Sequence, residues 1–92
     1  MANYYITVEI QDIKTSIEVG RIGIKIKCRL PWKAQDGAIT EAQNYAIEEL
    51  AFLQAREKYG ISSEQWEAII ADHRDYIKSR FLYKIKDMKT IE

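Results

Sequence analysis

The chain has 92 residues, of which 47% are apolar and 30% are charged, which argues against disorder and leaves room for only one domain, residues 1–92. The net charge of zero conceals segregation, because residues 1–35 and 76–92 carry +3 each and residues 36–75 carry −6. One cysteine, and no apolar run near the roughly 20 residues of a membrane span, predict a cytoplasmic protein without a membrane partner.

Three antiparallel strands are predicted in the first third of the chain, over residues 3–10, 13–19 and 21–30. In the first, Tyr4, Ile6, Val8 and Ile10 alternate with more polar residues. Gln11-Asp12 forms a turn signal, and Gly20 with Gly23 permits a bulge that resets the alternation. The alternative is a two-stranded sheet in which residues 11–17 are an irregular connection.

The strand over residues 21–30 has a basic face. Its even positions are apolar, including Cys28, whereas the odd positions are cationic except for Gly23. The cations of this row are Arg21, Lys25, Lys27 and Arg29. Same-face side chains on a strand lie about 7 Å apart, close to the spacing of phosphates along a nucleic-acid strand.

Residues 31–39 are predicted to be a loop, because Pro31 ends the strand and Gln35-Asp36-Gly37 signals a turn. Trp32, beside Lys33, is a candidate for contacting a partner. The favoured interpretation is nevertheless that Trp32 folds back as a lid on the sheet–helix core.

A helical hairpin is predicted over residues 40–86. Thr40 with Gln43, and Ser62 with Gln65, are typical of capping boxes, and Gly60 marks the end of the first helix. Ile61 is expected to pack on Trp66, and the buried stripe of the second helix is expected to include His73 and to continue to Ile85. After Arg80 the alternation of Phe81, Tyr83 and Ile85 also fits a short strand, and residues 87–92 are expected to fray. The fold class is therefore α+β, with about three strands followed by a two-helix hairpin on one sheet face.

The sequence favours a protein that is not an enzyme. His73 is the only histidine, no metal-ligand spacing is present, and Cys28 belongs to the inward set. We expect no cofactor, metal or small-molecule substrate. The enzymatic alternative is a metal-free ribonuclease that uses Tyr5 beside the basic row. The basic row predicts a nucleic-acid or partner surface of Arg21, Lys25, Lys27, Arg29, Trp32 and Lys33, with Tyr5 as a further stacking platform. The alternative is a solvated row that prevents aggregation.

From end to end, the chain resembles the small phage-encoded anti-CRISPR proteins directed at the type I-F surveillance (Csy) complex. The likeness lies in YYITVEI (residues 4–10), GRIGIKIKCRLPWKAQDG (20–37) and TEAQNYAIEELAFLQ (40–54). The resemblance implies an inhibitor that binds Cas proteins near the guide RNA, in an infected bacterial host, and blocks hybridisation of target DNA. Guide RNA contact by the basic strand is expected.

Two other functions fit the same residues. A sequence-tolerant nucleic-acid-binding domain of phage origin needs only the basic sheet face, as in the three-stranded arm-type domains of phage integrases. A phage accessory protein without a nucleic-acid partner does not need the basic sheet face. A DNA-binding domain should shift naked duplex with a steep salt dependence, whereas an anti-CRISPR should co-elute with the surveillance complex.

Overall fold

The structure is a computed structural model that describes residues 1–91. Strands β1 (Ala2–Asp12) and β2 (Glu18–Cys28) come first. Helix α1 (Pro31–Tyr45), a π-helical turn (Ala46–Leu50) and α2 (Ala51–Tyr59) follow as one continuous helix, because the joining residues keep right-handed helical backbone angles. Helix α3 (Ser63–Lys78) and strand β3 (Phe81–Ile91) complete the chain.

Strand β1 lies in the middle of a three-stranded sheet of order β2-β1-β3, and it pairs antiparallel with both neighbours. Its even positions, from Tyr4 to Ile10, are 7% exposed or less and face the helices. The predicted α+β class with a three-stranded antiparallel sheet is confirmed. The prediction of a strand over residues 13–19 is wrong, however, because the third strand of the sheet is formed by residues 81–91.

Residues 13–17 form the connection between β1 and β2. This agrees with the alternative prediction of an irregular connection over residues 11–17. The carboxylate of Asp12 accepts hydrogen bonds from the backbone N–H groups of Lys14 (2.8 Å) and Thr15 (3.1 Å). Ser16 has a left-handed backbone with φ of 58°. The turn therefore follows Asp12 and does not lie at Gln11-Asp12. The expected bulge is present, because the register shifts between Ile10 and Gln11, opposite Gly20 and Glu18.

Helix α1 begins at Pro31, so the prediction of a loop over residues 31–39 is wrong. Proline suits the first position of a helix because its missing N–H would have no partner there. Four alanines at every fourth position are fully buried and let the helix approach the sheet closely: Ala34, Ala38, Ala42 and Ala46. Thr40 lies inside α1 and donates its hydroxyl to the Asp36 carbonyl (3.0 Å), so it caps no helix.

The π-helical turn is held by α3. The Trp66 indole N–H donates to the Ile47 carbonyl at 3.0 Å, and the Phe52 ring stacks on Trp66 with centroids 6.0 Å apart. A π turn joins backbone groups five residues apart, so it interrupts the regular hydrogen-bond ladder of an α-helix, which joins groups four residues apart. Trp66 is 5% exposed, so this hydrogen bond joins the two halves of the helical layer inside the core.

Both ends of the α2–α3 connection match the sequence prediction. Gly60 ends α2 in the left-handed conformation, with φ of 66°. Ser62 and Gln65 form the capping box of α3. The buried stripe of α3 is Trp66, Ile70 and Ile77, whereas His73 is exposed and interrupts the helix with φ of −124°.

After Ser79 the chain enters β3, so extending the helical hairpin to residue 86 is wrong and the strand alternative is right. Residues 87–91 continue the strand; the expected fraying at residue 92 lies outside the described residues. The Tyr83 hydroxyl donates to the Lys78 carbonyl (3.1 Å) at this corner, and burial raises the pKa of Tyr83 to about 12. None of the helices in residues 1–91 combines the length and apolar character needed to cross a membrane.

Candidate nucleic-acid interface

The sheet has one face covered by helices and one face without them, which we name the open face. Directly paired residues of antiparallel strands share a face, so the register assigns the open-face side chains. The odd residues of β1 from Asn3 to Gln11 lie along its middle. Six cations flank them on the two outer strands: Arg21, Lys25 and Lys27 on β2, and Lys84, Lys86 and Lys89 on β3. Lys86 has no paired partner and is assigned to this face by its contact with Glu9.

Tyr5 lies between two lysines on this face. It is directly opposite Lys25 on β2 and Lys89 on β3, and it is 43% exposed. A Cβ placed on Gly23 would overlap the Tyr5 hydroxyl and lie 3.1 Å from ring atom Cε1. The ring therefore leans along the sheet over Gly23, which fills the gap in the basic row. An exposed aromatic ring beside cations is the arrangement on which proteins that bind single-stranded nucleic acid stack a base.

Glu9 occupies the middle of the open face at its other end. It is 7% exposed, and its carboxylate lies 3.3 Å from Arg21 and 3.9 Å from Lys86. Interactions with the side chains of Glu18 and Gln11, then with Lys86 and Arg21, lower the pKa of Glu9 against the opposing effect of burial. Glu9 is therefore an anion that ties the two outer strands to β1.

Arg21 is part of this ion-paired end of the face. Its guanidinium donates to Glu18 at 2.7 Å as well as to Glu9, and Glu18 is the main cause of the raised pKa of Arg21. Of the predicted basic row, Arg21 is therefore the member already neutralised within the protein. It positions Glu9 and Glu18 and leaves little charge for a partner.

Lys25, Lys27 and Arg29 extend towards the end of the sheet that carries residues 2 and 91. All three are exposed, and no ion pair joins them to a carboxylate of residues 1–91. Arg29, which follows β2, also lines a recess of about 480 Å³ with Asn3 and Ile91. This end of the open face, around Tyr5, is where the cationic charge is available.

Trp32 and Lys33 lie on the first turn of α1 and not on the sheet. Trp32 is 58% exposed, so its expected role as a lid on the core is wrong. At 100° per residue, Trp32 lies about 200° around the helix from Ala34, which faces the sheet. The Lys33 ammonium lies 5.5 Å from the centre of the Trp32 ring. This pair forms a separate exposed feature, and the structure does not place it beside Lys25 and Lys27.

The lysines of β3 were missed by the sequence prediction. Tyr83-Lys84-Ile85-Lys86 repeats the alternation of Ile24-Lys25-Ile26-Lys27, and this was the available signal. The pairing of β3 with β1 doubles the basic row of the open face. Asp87, on the same face, lies 3.7 Å from Lys89. Both side chains are exposed, so this ion pair is weak and leaves the Lys89 ammonium accessible.

The outer surface of the helices has the opposite charge. Its exposed carboxylates are Asp36, Glu41, Glu48, Glu49, Glu57, Glu64, Glu67, Asp72 and Asp75. Arg74 lies 3.5 Å from Glu48 and Lys78 lies 3.7 Å from Asp75, so some are paired with neighbouring cations. The charge segregation of the sequence thus becomes a separation between two sides of the molecule.

Side chains with reactive chemistry are few outside this face. His73 is exposed on α3, and Cys28 is half-buried at the end of β2. Within residues 1–91, no group of three His, Cys, Asp or Glu side chains is arranged to hold a metal ion. Comparison with protein-family models, curated proteins and solved structures found no match to this chain.

Proposed function

We propose that the protein binds single-stranded nucleic acid non-enzymatically through its open face. Tyr5 stacks on one base, and Lys25, Lys27 and Lys89 contact the flanking phosphates. The observation that carries this proposal is the exposed Tyr5 ring, which lies over Gly23 with a lysine in register on each side.

The dimensions of the face favour a single strand. Neighbouring strands are about 4.8 Å apart, so the lysine rows of β2 and β3 are separated by roughly 10 Å across β1. That width accommodates one nucleic-acid backbone with its bases unstacked on the sheet. A duplex would keep its bases paired and out of reach of the Tyr5 ring.

The test is the binding of a fluorescein-labelled oligouridylate, measured by fluorescence anisotropy from low to moderate salt. Replacing Lys25, Lys27 and Lys89 with Ser removes three phosphate contacts, so the slope of log affinity against log salt should fall by about 2, at ~0.7 for each contact to a single strand. The matched control removes three cations elsewhere: Lys14, Arg56 and Lys58 to Ser. Equal binding by both variants would overturn the proposal.

A second candidate function is inhibition of the type I-F surveillance complex, as the resemblance implies. The observation that favours it is the opposite charge of the two sides. The open face suits contact with guide RNA, while the carboxylates of the helices suit the Lys and Arg side chains with which Cas proteins hold that RNA. Its proposed location is the cytoplasm of an infected bacterium.

This second proposal predicts that the protein co-elutes with the purified complex and blocks hybridisation of target DNA. Changing Glu48, Glu49 and Glu67 to Lys should abolish co-elution and leave binding of the free oligonucleotide intact. Absence of co-elution by the unchanged protein would overturn the inhibitor proposal. The open-face proposal is judged separately, on the free oligonucleotide.

A further inference from the structure

A second recess lies in the helical layer, between α2 and α3. Its apolar compartment has a volume of about 350 Å³, and its walls include Tyr59, Ile61, Ile69, Tyr76 and Ile77. Tyr59 is 68% exposed and Tyr76 is 69% exposed. Large exposed aromatic side chains beside an apolar recess are typical of the anchoring positions of protein interfaces.

A cationic compartment of about 300 Å³ adjoins the apolar one. Lys14, from the β1–β2 connection, meets Lys58 and Arg80 around it, and Tyr59 and Tyr76 line both compartments. The Arg80 guanidinium donates to the Gln54 amide oxygen at 3.1 Å, which fixes its position at the junction. We name the two compartments together the α2–α3 groove.

The charge of this groove differs from that of the surrounding helices. Although α2 and α3 carry many exposed carboxylates, no Asp or Glu lines either compartment among the described residues. Asp12 attracts Arg80, but its carboxylate already accepts two backbone N–H groups of the β1–β2 connection. The groove is therefore a cationic and apolar site within an otherwise acidic layer.

We infer that the α2–α3 groove binds an acidic segment of a partner protein that carries one large apolar side chain. The apolar side chain enters between Tyr59 and Tyr76, and neighbouring carboxylates meet Lys14, Lys58 and Arg80. Charge complementarity selects this occupant, because a basic or neutral peptide would leave three cations clustered without a counter-charge.

The test is selection of binders from a displayed library of random 12-residue peptides with the full chain as target. The expected peptides carry Asp or Glu beside one Leu, Phe or Trp. Tyr76→Ser and Lys58→Glu should each weaken the best synthetic peptide about tenfold or more, measured by isothermal titration calorimetry. Tyr5→Ser and Lys27→Glu, on the open face, are the matched controls and should leave peptide affinity unchanged.

Other outcomes would overturn this inference. Peptides without acidic residues, peptides insensitive to Tyr76→Ser, or amide NMR shifts confined to the open face would place binding elsewhere. A concentration-dependent dimer that Tyr76→Ser abolishes would make a second copy the occupant. Sedimentation with phosphatidylserine vesicles that requires Tyr76 would make a membrane the occupant. Oligonucleotide binding by Tyr76→Ser should stay unchanged, so this test is independent of the open-face proposal.

Discussion

The two faces of β1 differ in what they contribute to the protein. On the covered face, Ile6, Val8 and Ile10 have no exposed surface. On the open face, Tyr5 is exposed and Glu9 is enclosed by the side chains of its neighbours. One strand thus contributes core side chains on its covered face and, around Tyr5, the surface of the proposed binding site on its open face. Substitutions on the covered face should change the free energy of unfolding, and substitutions on the open face should change binding.

The largest expected effect is that of Ile6→Ala on the covered face. The side chain is fully buried, so its truncation leaves a cavity that should lower the free energy of unfolding by ~2–5 kcal/mol. Urea unfolding followed by circular dichroism measures the change. Thr7→Ala, one residue along on the open face, is the control. Equal losses for the two variants would show that the faces do not differ in this way.

Trp66→Phe tests the contact between α3 and the π-helical turn, which lies on the covered side of the molecule but farther from the sheet. The change removes the indole N–H that donates to Ile47 and leaves a buried carbonyl of the π-helical turn without this partner. The free energy of unfolding should fall by ~1–3 kcal/mol, the cost of an unsatisfied buried polar group. Trp32→Phe alters an exposed side chain and should stay within about 0.5 kcal/mol. Similar values for the two tryptophans would contradict the role assigned to the hydrogen bond.

Tyr5→Leu tests the open face. Leucine keeps an apolar side chain at this position but offers no aromatic ring, so oligouridylate affinity should fall by ~1–3 kcal/mol, the usual value of one stacked base. Fluorescence anisotropy measures the affinity, and urea unfolding checks that stability is retained. Tyr5→Phe keeps the ring and should bind like the unchanged protein. If Tyr5→Leu also binds unchanged, the ring is not a stacking platform.

The smallest expected effect concerns the β1–β2 connection and its pH dependence. Backbone N–H groups of Thr15 and Lys14 lower the pKa of Asp12 below its ordinary value of 3.8. The stabilisation is therefore fully present above about pH 4 and is lost as the pH falls through the lower, folded-state pKa. Asp12→Asn should show less loss of stability on acidification, measured as the urea midpoint between pH 2 and 7. Glu57→Gln, on the exposed surface of α2, is the comparison variant.

The sequence was sufficient wherever the signal is local. The alternation of β1, the basic row of β2, the Gly60 stop and the Ser62 capping box all depend on neighbouring residues, and the structure has each of them. The start of α1 was misread because Gln35-Asp36-Gly37 suggested a turn. Gly37 instead lies close to the sheet, where an added Cβ would be 3.1 Å from the Ile26 side chain. The glycine serves packing between helix and strand.

The remaining features of the site depend on pairing between distant residues. The position of Tyr5 over Gly23 requires the register of β1 with β2, and the contribution of Lys89 requires β3 to pair with β1. The alternation in residues 81–85 favours a strand locally but does not say where that strand lies. The side chains that β3 contributes to the open face therefore could not be predicted from local sequence patterns.

The register shift in β3 decides on which face its last lysine lies. Val8 pairs with Ile85 and Thr7 with Asp87, which leaves Lys86 as an extra residue. If β3 kept Lys86 in regular register opposite Thr7, Lys89 would pair with Tyr4 on the covered face. Met88, which accepts a hydrogen bond from Gln35 at 3.3 Å, would then pair with Tyr5 on the open face. Deleting Lys86 alone would, by contrast, restore regular pairing and leave Met88 and Lys89 on their present faces.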